Sequence, residues 1–205
     1  INSGCMNRRE LGDLLISWIT ISLAFAFISK ELLLLNVPFI LPVIFAAVAT
    51  AFIFHELAHR QVARHYGFHA EYRAWKLGLA IALILGVIAL VSNFGFVFAA
   101  PGAVYIYGTQ ISRRENGIIS LAGPLTNLII GMACIGLQLF AELSLAYLIV
   151  LGMIGSTNLF LGFFNLLPVF PLDGSKVFVW SPLIWALVFI PVAAVFIPVA
   201  AILFL

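Results

Sequence analysis

The sequence predicts an all-α polytopic membrane protein of about six transmembrane helices, with a short membrane-associated β-hairpin near 94–108. Two observations carry this. The 205 residues are 64% hydrophobic and only 9% charged, whereas soluble domains carry about 25% charged residues. A soluble chain this apolar could not cover its own surface. Apolar runs of about 20 residues also recur, each long enough for a hydrocarbon core of about 30 Å.

The first span is read as Leu11 to Leu35, behind Arg8 and Arg9, with Lys30 and Glu31 near its far end. The run is too long for a signal peptide, and no small-residue cleavage site follows it. Pro38 and Pro42 open a second span reaching about Tyr66, and Arg60, Arg64, Arg73 and Lys76 cluster at its end. The positive-inside rule then makes the N-terminus cytoplasmic, with span one running outward and span two returning.

Leu77 to Val91 is apolar and reads as a short helix. Phe94 to Ala99 and Val104 to Tyr107 flank the turn signal Ala100-Pro101-Gly102, which is the pattern of a hairpin. Arg113 and Arg114 bring the chain inside again, so parity requires zero or two crossings between Lys76 and Arg113. Sequence alone leaves open a re-entrant excursion or two short spans. Gly117 to about Ala141 runs outward and Leu145 to about Leu167 returns. Trp180 to Leu205, interrupted by Pro182, Pro191 and Pro198, reads as one crossing or two shorter pieces.

The ten basic residues form no stripe, so nucleic acid is not an expected partner. The two cysteines are far apart and no C-x-x-C pair exists, which argues against a cysteine metal site. Cys134 reads as a small core residue.

The chemistry sits at the end of the second span, in Phe54-His55-Glu56-Leu57-Ala58-His59. Residues four apart share one helix face, so His55 and His59 can hold one zinc ion between them. A glutamate directly after the first ligand, Glu56, can pass a proton between water and a leaving amine. Two histidines and a carboxylate in an apolar helix are costly unless they face the protein interior and serve a function. The bland alternative is a solvated helix end beside Arg60 and Arg64. Zinc needs a third protein ligand. His65 is rotated away from the pair and His69 follows Gly67 in an expected loop. Asp173 is the better candidate, at the broken end of a span that runs in the same direction as the second.

These residues carry a resemblance. His55-Glu56-Leu57-Ala58-His59 and the segment Asn165 to Gly174, with Pro168 and Asp173 at the motif spacing, resemble the site-2 protease family of intramembrane zinc metalloproteases. Gly123-Pro124-Leu125-Thr126-Asn127 on the intervening span is similar to a third motif of that family. The resemblance covers about Thr50 to Gly174. It implies His55, His59 and Asp173 as ligands of one Zn²⁺ per chain, Glu56 as catalytic base, and Asn165 as a holder of substrate or oxyanion. By residue chemistry alone, Asn165 is an amide able to bond a developing oxyanion, and Asn127 is read as a packing residue beside Gly123 and Pro124.

The expected function is hydrolysis of peptide bonds within or near transmembrane segments of other membrane proteins. The expected setting is a multi-pass protein of the cell membrane with its site toward the cytoplasm. The alternative is a membrane metal-ion transporter or binding protein using the same cluster, which would not need Glu56. Residues 1–5 precede Met6 and are set aside as an expression remnant. Residues 6–205 are read as one transmembrane metalloprotease domain with its core at 50–174. Residues 77–93 read as an added hydrophobic element, and neither a PDZ-type domain nor a nucleotide-sensing tail after Leu205 is expected. An exposed strand edge within Phe94 to Tyr107 is expected to pair with an unwound substrate by β-addition. Pro38, Pro42 and the C-terminal prolines are expected to mark flexible helices at an entry path.

Overall fold

The computed structural model describes residues 6–92, 101–107 and 110–204. Four helices are long and apolar enough to cross a membrane: Arg8–Ile28, Val37–His65, Arg113–Phe140 and Leu145–Asn165. Two further apolar helices, Lys76–Ser92 and Pro182–Phe204, do not meet that criterion over their described residues, so the expected count of about six is approximate.

Helix α1 (Arg8–Ile28) starts where Asn7 accepts from the Glu10 backbone N–H at 2.7 Å. Such a cap satisfies one of the donors a helix N-terminus leaves open. The Glu10 side chain is fully buried and meets Arg60 Nε at 2.7 Å, while the Tyr72 N–H donates to it at 3.1 Å. One carboxylate thus ties three elements together. The first span stops earlier than expected: Ser29 ends α1, and Lys30–Leu35 is a separate short helix, α2.

Helices α3 (Val37–Val48) and α4 (Phe54–His65) form one continuous rod through a π-helical turn at Ala49–Ile53. Pro38 sits in the first turn, where a missing N–H costs nothing. Single π turns widen a helix locally and are common next to functional residues; this one ends one residue short of Phe54-His55.

Strand β1 (His69–Ala74) pairs antiparallel with β2 (Gly102–Tyr107), from His69 opposite Tyr107 to Ala74 opposite Gly102. This revises the hairpin reading. A small sheet is present, but β2 pairs with a segment expected to be loop, and Phe94–Ala99 lies outside the described residues. The physical reason is burial. His-Ala-Glu-Tyr-Arg-Ala buries Ala70, Glu71 and Tyr72, with Glu71 accepting from Asn7 Nδ2 at 2.8 Å and Tyr72 edge-on to Phe52 and bonded to Ser17 Oγ at 2.9 Å.

Helix α5 (Lys76–Ser92) runs alongside α1 in the same direction. Gly86 packs on Ala24, and Lys30 Nζ donates to the Leu90 carbonyl at 2.8 Å. The chain is back beside its starting point by Pro101, whose carbonyl accepts from the Trp75 N–H at 2.9 Å. The excursion therefore leaves and returns at one level, which the parity argument required.

Helix α6 (Arg113–Phe140) begins with a capping box between Ser112 and Glu115. It packs on α7 (Leu145–Asn165) through small residues: Gly155 lies on Cys134 and Gly131 on Leu159. Small residues let helix backbones approach closely where lipid supplies no hydrophobic drive. After α7 come α8 (Asp173–Trp180) and α9 (Pro182–Phe204). The C-terminal prolines do not split α9, which is one helix, anchored by Trp185 Nε1 to the Leu166 carbonyl at 2.8 Å and by Phe163 stacked on Phe189.

Candidate active site

His55 and His59 lie on the buried face of α4, and their Nε2 atoms are 3.0 Å apart. The approach of α8 completes the group: Asp173 Oδ2 is 3.0 Å from His59 Nε2 and 3.3 Å from His55 Nε2. Asp173 reaches this place because Gly174 lets α8 begin against the end of α7. A Cβ on Gly174 would stand 2.1 Å from the Leu166 carbonyl oxygen. The other Asp173 oxygen, Oδ1, receives Lys176 Nζ at 3.1 Å.

The donor set fits a metal ion. Four-coordinate zinc at about 2.0–2.1 Å from each ligand separates ligand atoms by about 3.3 Å, close to the three separations found. The outer ring nitrogens point the same way. His59 Nδ1–H donates to the Ile119 carbonyl at 2.7 Å and His55 Nδ1–H to Asn127 Oδ1 at 2.5 Å. Both partners are acceptors, so both Nδ1 atoms carry the proton and both Nε2 atoms turn lone pairs inward. Two imidazole lone pairs and a carboxylate oxygen converge with no proton among them. Such a convergence calls for a cation at its centre, and His55, His59 and Asp173 are the group of described residues able to hold one.

Gly123 on α6 makes the room. A Cβ there would lie 2.4 Å from His59 Nε2 and 2.6 Å from His55 Nε2. The glycine of the Gly123-Pro124 segment is thus the floor of the cluster rather than a helix-packing contact alone.

A cavity of about 530 Å³ opens beside the cluster and is lined by Glu56, Asn165, Asp173, Lys176 and residues 102–106 of β2. Glu56 is buried and borders this space. Asn165 also borders it, with its Nδ2 donating to the Leu161 carbonyl at 3.1 Å. The structure therefore brings His55, Glu56, His59, Asp173 and Asn165 to one place. His65 and His69 are exposed and lie elsewhere, His69 against Glu71 and Tyr107.

Three residues of the site were not legible as such. Asn127 was read as packing, and its Oδ1 accepts from His55 Nδ1. Asn158, fully buried, bonds Asn127 at 3.0 Å. The available signal was an amide in an apolar span, which is costly in lipid and points inward. Lys176 stands three residues after Asp173, one helical turn away.

No family profile matches the chain. Individual relatives do. The chain is 46% identical over 187 residues to a Methanocaldococcus jannaschii protein provisionally named zinc metalloprotease MJ0611, covering 90% of this chain and 91% of that one. It is 27% identical over 135 residues to zinc metalloprotease MJ0392 of the same organism, covering 66% of this chain and 33% of that longer one. It is 29% identical over 151 residues to the provisionally named zinc metalloprotease YwhC of Bacillus subtilis, covering 67% and 68% of the two. Among solved structures, the site-2 protease of M. jannaschii aligns with 78% of this chain and 62% of its own, at a TM-score of 0.45 and 24% identity.

A helical membrane protein with this cluster and these relatives is of the zinc metalloprotease class. At 46% identity over 91% of its length, MJ0611 and this chain belong to one family of zinc metalloproteases.

Proposed function

We propose that the protein is an intramembrane endopeptidase that hydrolyses peptide bonds within or near transmembrane segments of other membrane proteins. The observation that carries this is the convergence of His55, His59 and Asp173 beside Glu56, at a cavity inside an apolar helix bundle. In this reading one Zn²⁺ per chain is held by His55 Nε2, His59 Nε2 and an Asp173 oxygen. Zinc so held supplies Lewis acidity toward a carbonyl oxygen and toward water.

The chain's own residues do the rest. Glu56 takes a proton from the attacking water and returns it to the amine as the C–N bond breaks. Asn165, at the cavity wall, offers an amide N–H to the oxygen on which negative charge develops. Lys176 holds Asp173 Oδ1 and so leaves Oδ2 for the centre.

A substrate helix has its backbone amides already paired and must unwind to be cut. Strand β2 borders the cavity while β1 does not, and among the described residues β2 pairs only with β1. We therefore assign the open side of β2 to the unwound substrate by β-addition. Antiparallel ladders alternate in the direction of their N–H groups. Of prolines placed at Val104 and Tyr105, one removes a bond to β1 and the other a donor of the open edge. Unchanged cleavage in both variants would refute the edge-strand role.

Every lysine and arginine except Lys30 lies at the end of the bundle that carries the site: Arg8, Arg9, Arg60, Arg64, Arg73, Lys76, Arg113, Arg114 and Lys176. By the positive-inside rule this end faces the cytoplasm, which supports a multi-pass protein of the cell membrane cutting near the cytoplasmic face. The test is cleavage in proteoliposomes of single-span substrates, with the cut position mapped by mass spectrometry. Cuts in the cytoplasmic third of the span are expected; cuts confined to soluble loops would contradict the intramembrane reading.

A further inference from the structure

The zinc-facing pair accounts for His55 but not for the polar chain behind it, which runs through the apolar middle of three helices. Thr50 Oγ1 donates to the Ala47 carbonyl at 2.9 Å and so keeps only lone pairs to offer. Asn158 Nδ2 donates to Thr50 Oγ1 and to the Ile154 carbonyl, each at 2.9 Å. Both of its N–H bonds are then used, and its Oδ1 must face Asn127, whose Nδ2 donates to it at 3.0 Å. The second Asn127 N–H goes to the Ala51 carbonyl at 2.8 Å, in the π turn. Only the Asn127 oxygen remains, and it meets His55 Nδ1 at 2.5 Å.

We propose that Thr50 and Asn158 are positioning residues that set the ring tautomer of His55 through Asn127. Each link has one permitted orientation, given the one before it. Turning the Asn127 amide over would set its NH₂ against the imidazole N–H and its oxygen against the Ala51 carbonyl and Asn158 Oδ1. With the relay intact, His55 Nδ1 holds the proton and Nε2 is free for a metal. With the relay cut, only the Ala51 carbonyl still opposes inversion of the Asn127 amide; an inverted amide turns its N–H to His55 Nδ1, the ring proton then sits on Nε2, and the ring no longer ligates. Asn127 and Asn158 are both fully buried, so no bulk water can substitute for a lost link. Outer-shell partners of ligating histidines are typically worth 10- to 100-fold in metal affinity.

The inference rests on His55 being a ligand, and the test separates the two. Zinc affinity of the purified protein is measured by chelator competition for wild type, Asn158→Leu, Thr50→Val and Thr50→Ser. Ring ¹⁵N shifts of the histidines are recorded on the metal-free forms. The relay predicts about 10- to 100-fold weaker zinc in Asn158→Leu. It predicts a weaker site in Thr50→Val with near wild-type binding in Thr50→Ser, and a protonated His55 Nε2 appearing only in the two weakened variants. A packing role predicts the reverse order, since valine fills the threonine site and serine does not. Should Asn158→Leu fail to fold, the Thr50 pair decides alone. Equal affinity in wild type, Asn158→Leu and Thr50→Val would overturn the relay and leave the metal site standing. A wild type that takes up no zinc would overturn both.

Discussion

Replacing Gly123 by alanine sets one methyl group against the whole proposed centre. The new Cβ would stand 2.4 Å from His59 Nε2, 2.6 Å from His55 Nε2 and 2.7 Å from His55 Cδ2. Carbon in van der Waals contact sits at about 3.5–4.0 Å, so the overlap is about 1 Å. Backing α6 away would carry with it the Ile119 carbonyl and Asn127 Oδ1, the two acceptors that orient the rings. Swinging the rings instead moves their ligand atoms by about 1 Å, against a tolerance of about 0.2 Å for metal–ligand distances. Either route should weaken zinc by at least the roughly 10- to 100-fold that an outer-shell loss costs. Stability should change little. Overpacking costs about 1–3 kcal/mol, and alanine for glycine inside a helix returns about 1 kcal/mol. Gly136, on the same helix, has nothing within 4 Å of its Cβ position and supplies the control. Zinc affinity by chelator competition, with thermal melting in detergent, should show Gly136→Ala like wild type and Gly123→Ala folded but metal-poor. A Gly123→Ala protein that binds zinc as tightly as wild type would refute the packing argument.

Two other perturbations read different parts of the structure. Lys176→Met frees Asp173 Oδ1, and zinc affinity by the same competition should fall about tenfold with no loss of melting temperature. Glu10→Ala leaves the Arg60 guanidinium buried without its carboxylate, at a cost of about 3–5 kcal/mol. Replacing both partners, as Glu10→Leu with Arg60→Met, should recover most of that loss in denaturation experiments.

The sequence disclosed the site better than the fold around it. His55, Glu56 and His59 were legible because helical spacing places i and i+4 on one face and because lipid penalises polar residues that lack a purpose. Asp173 was legible from its place at the broken end of a span and from the direction of that span. What positions them was not. Gly123 acts by what it lacks, and only coordinates show that the space it leaves is where two ring nitrogens meet. Asn127 read as packing, and Asn158 was not singled out, because their partners lie 72 and 31 residues away along the chain. The strand His69–Ala74 was hidden by its short length and by a partner 28 residues distant at its near end, Gly102 opposite Ala74. Pro191 and Pro198 suggested a broken C-terminal stretch; yet α9 remains one helix, as proline in lipid-exposed helices allows when neighbouring groups take up the freed carbonyls. The transit-site alternative made no use of Glu56, whereas the structure places that carboxylate on the cavity wall beside the cluster.

The most direct test of the account compares wild type with Glu56→Gln for zinc content and for cleavage of a single-span substrate in detergent. The account predicts about one zinc per chain in both proteins, cleavage by wild type, and none by Glu56→Gln, since glutamine cannot take up the proton. Cleavage by Glu56→Gln at the wild-type rate, with zinc bound in both, would contradict it.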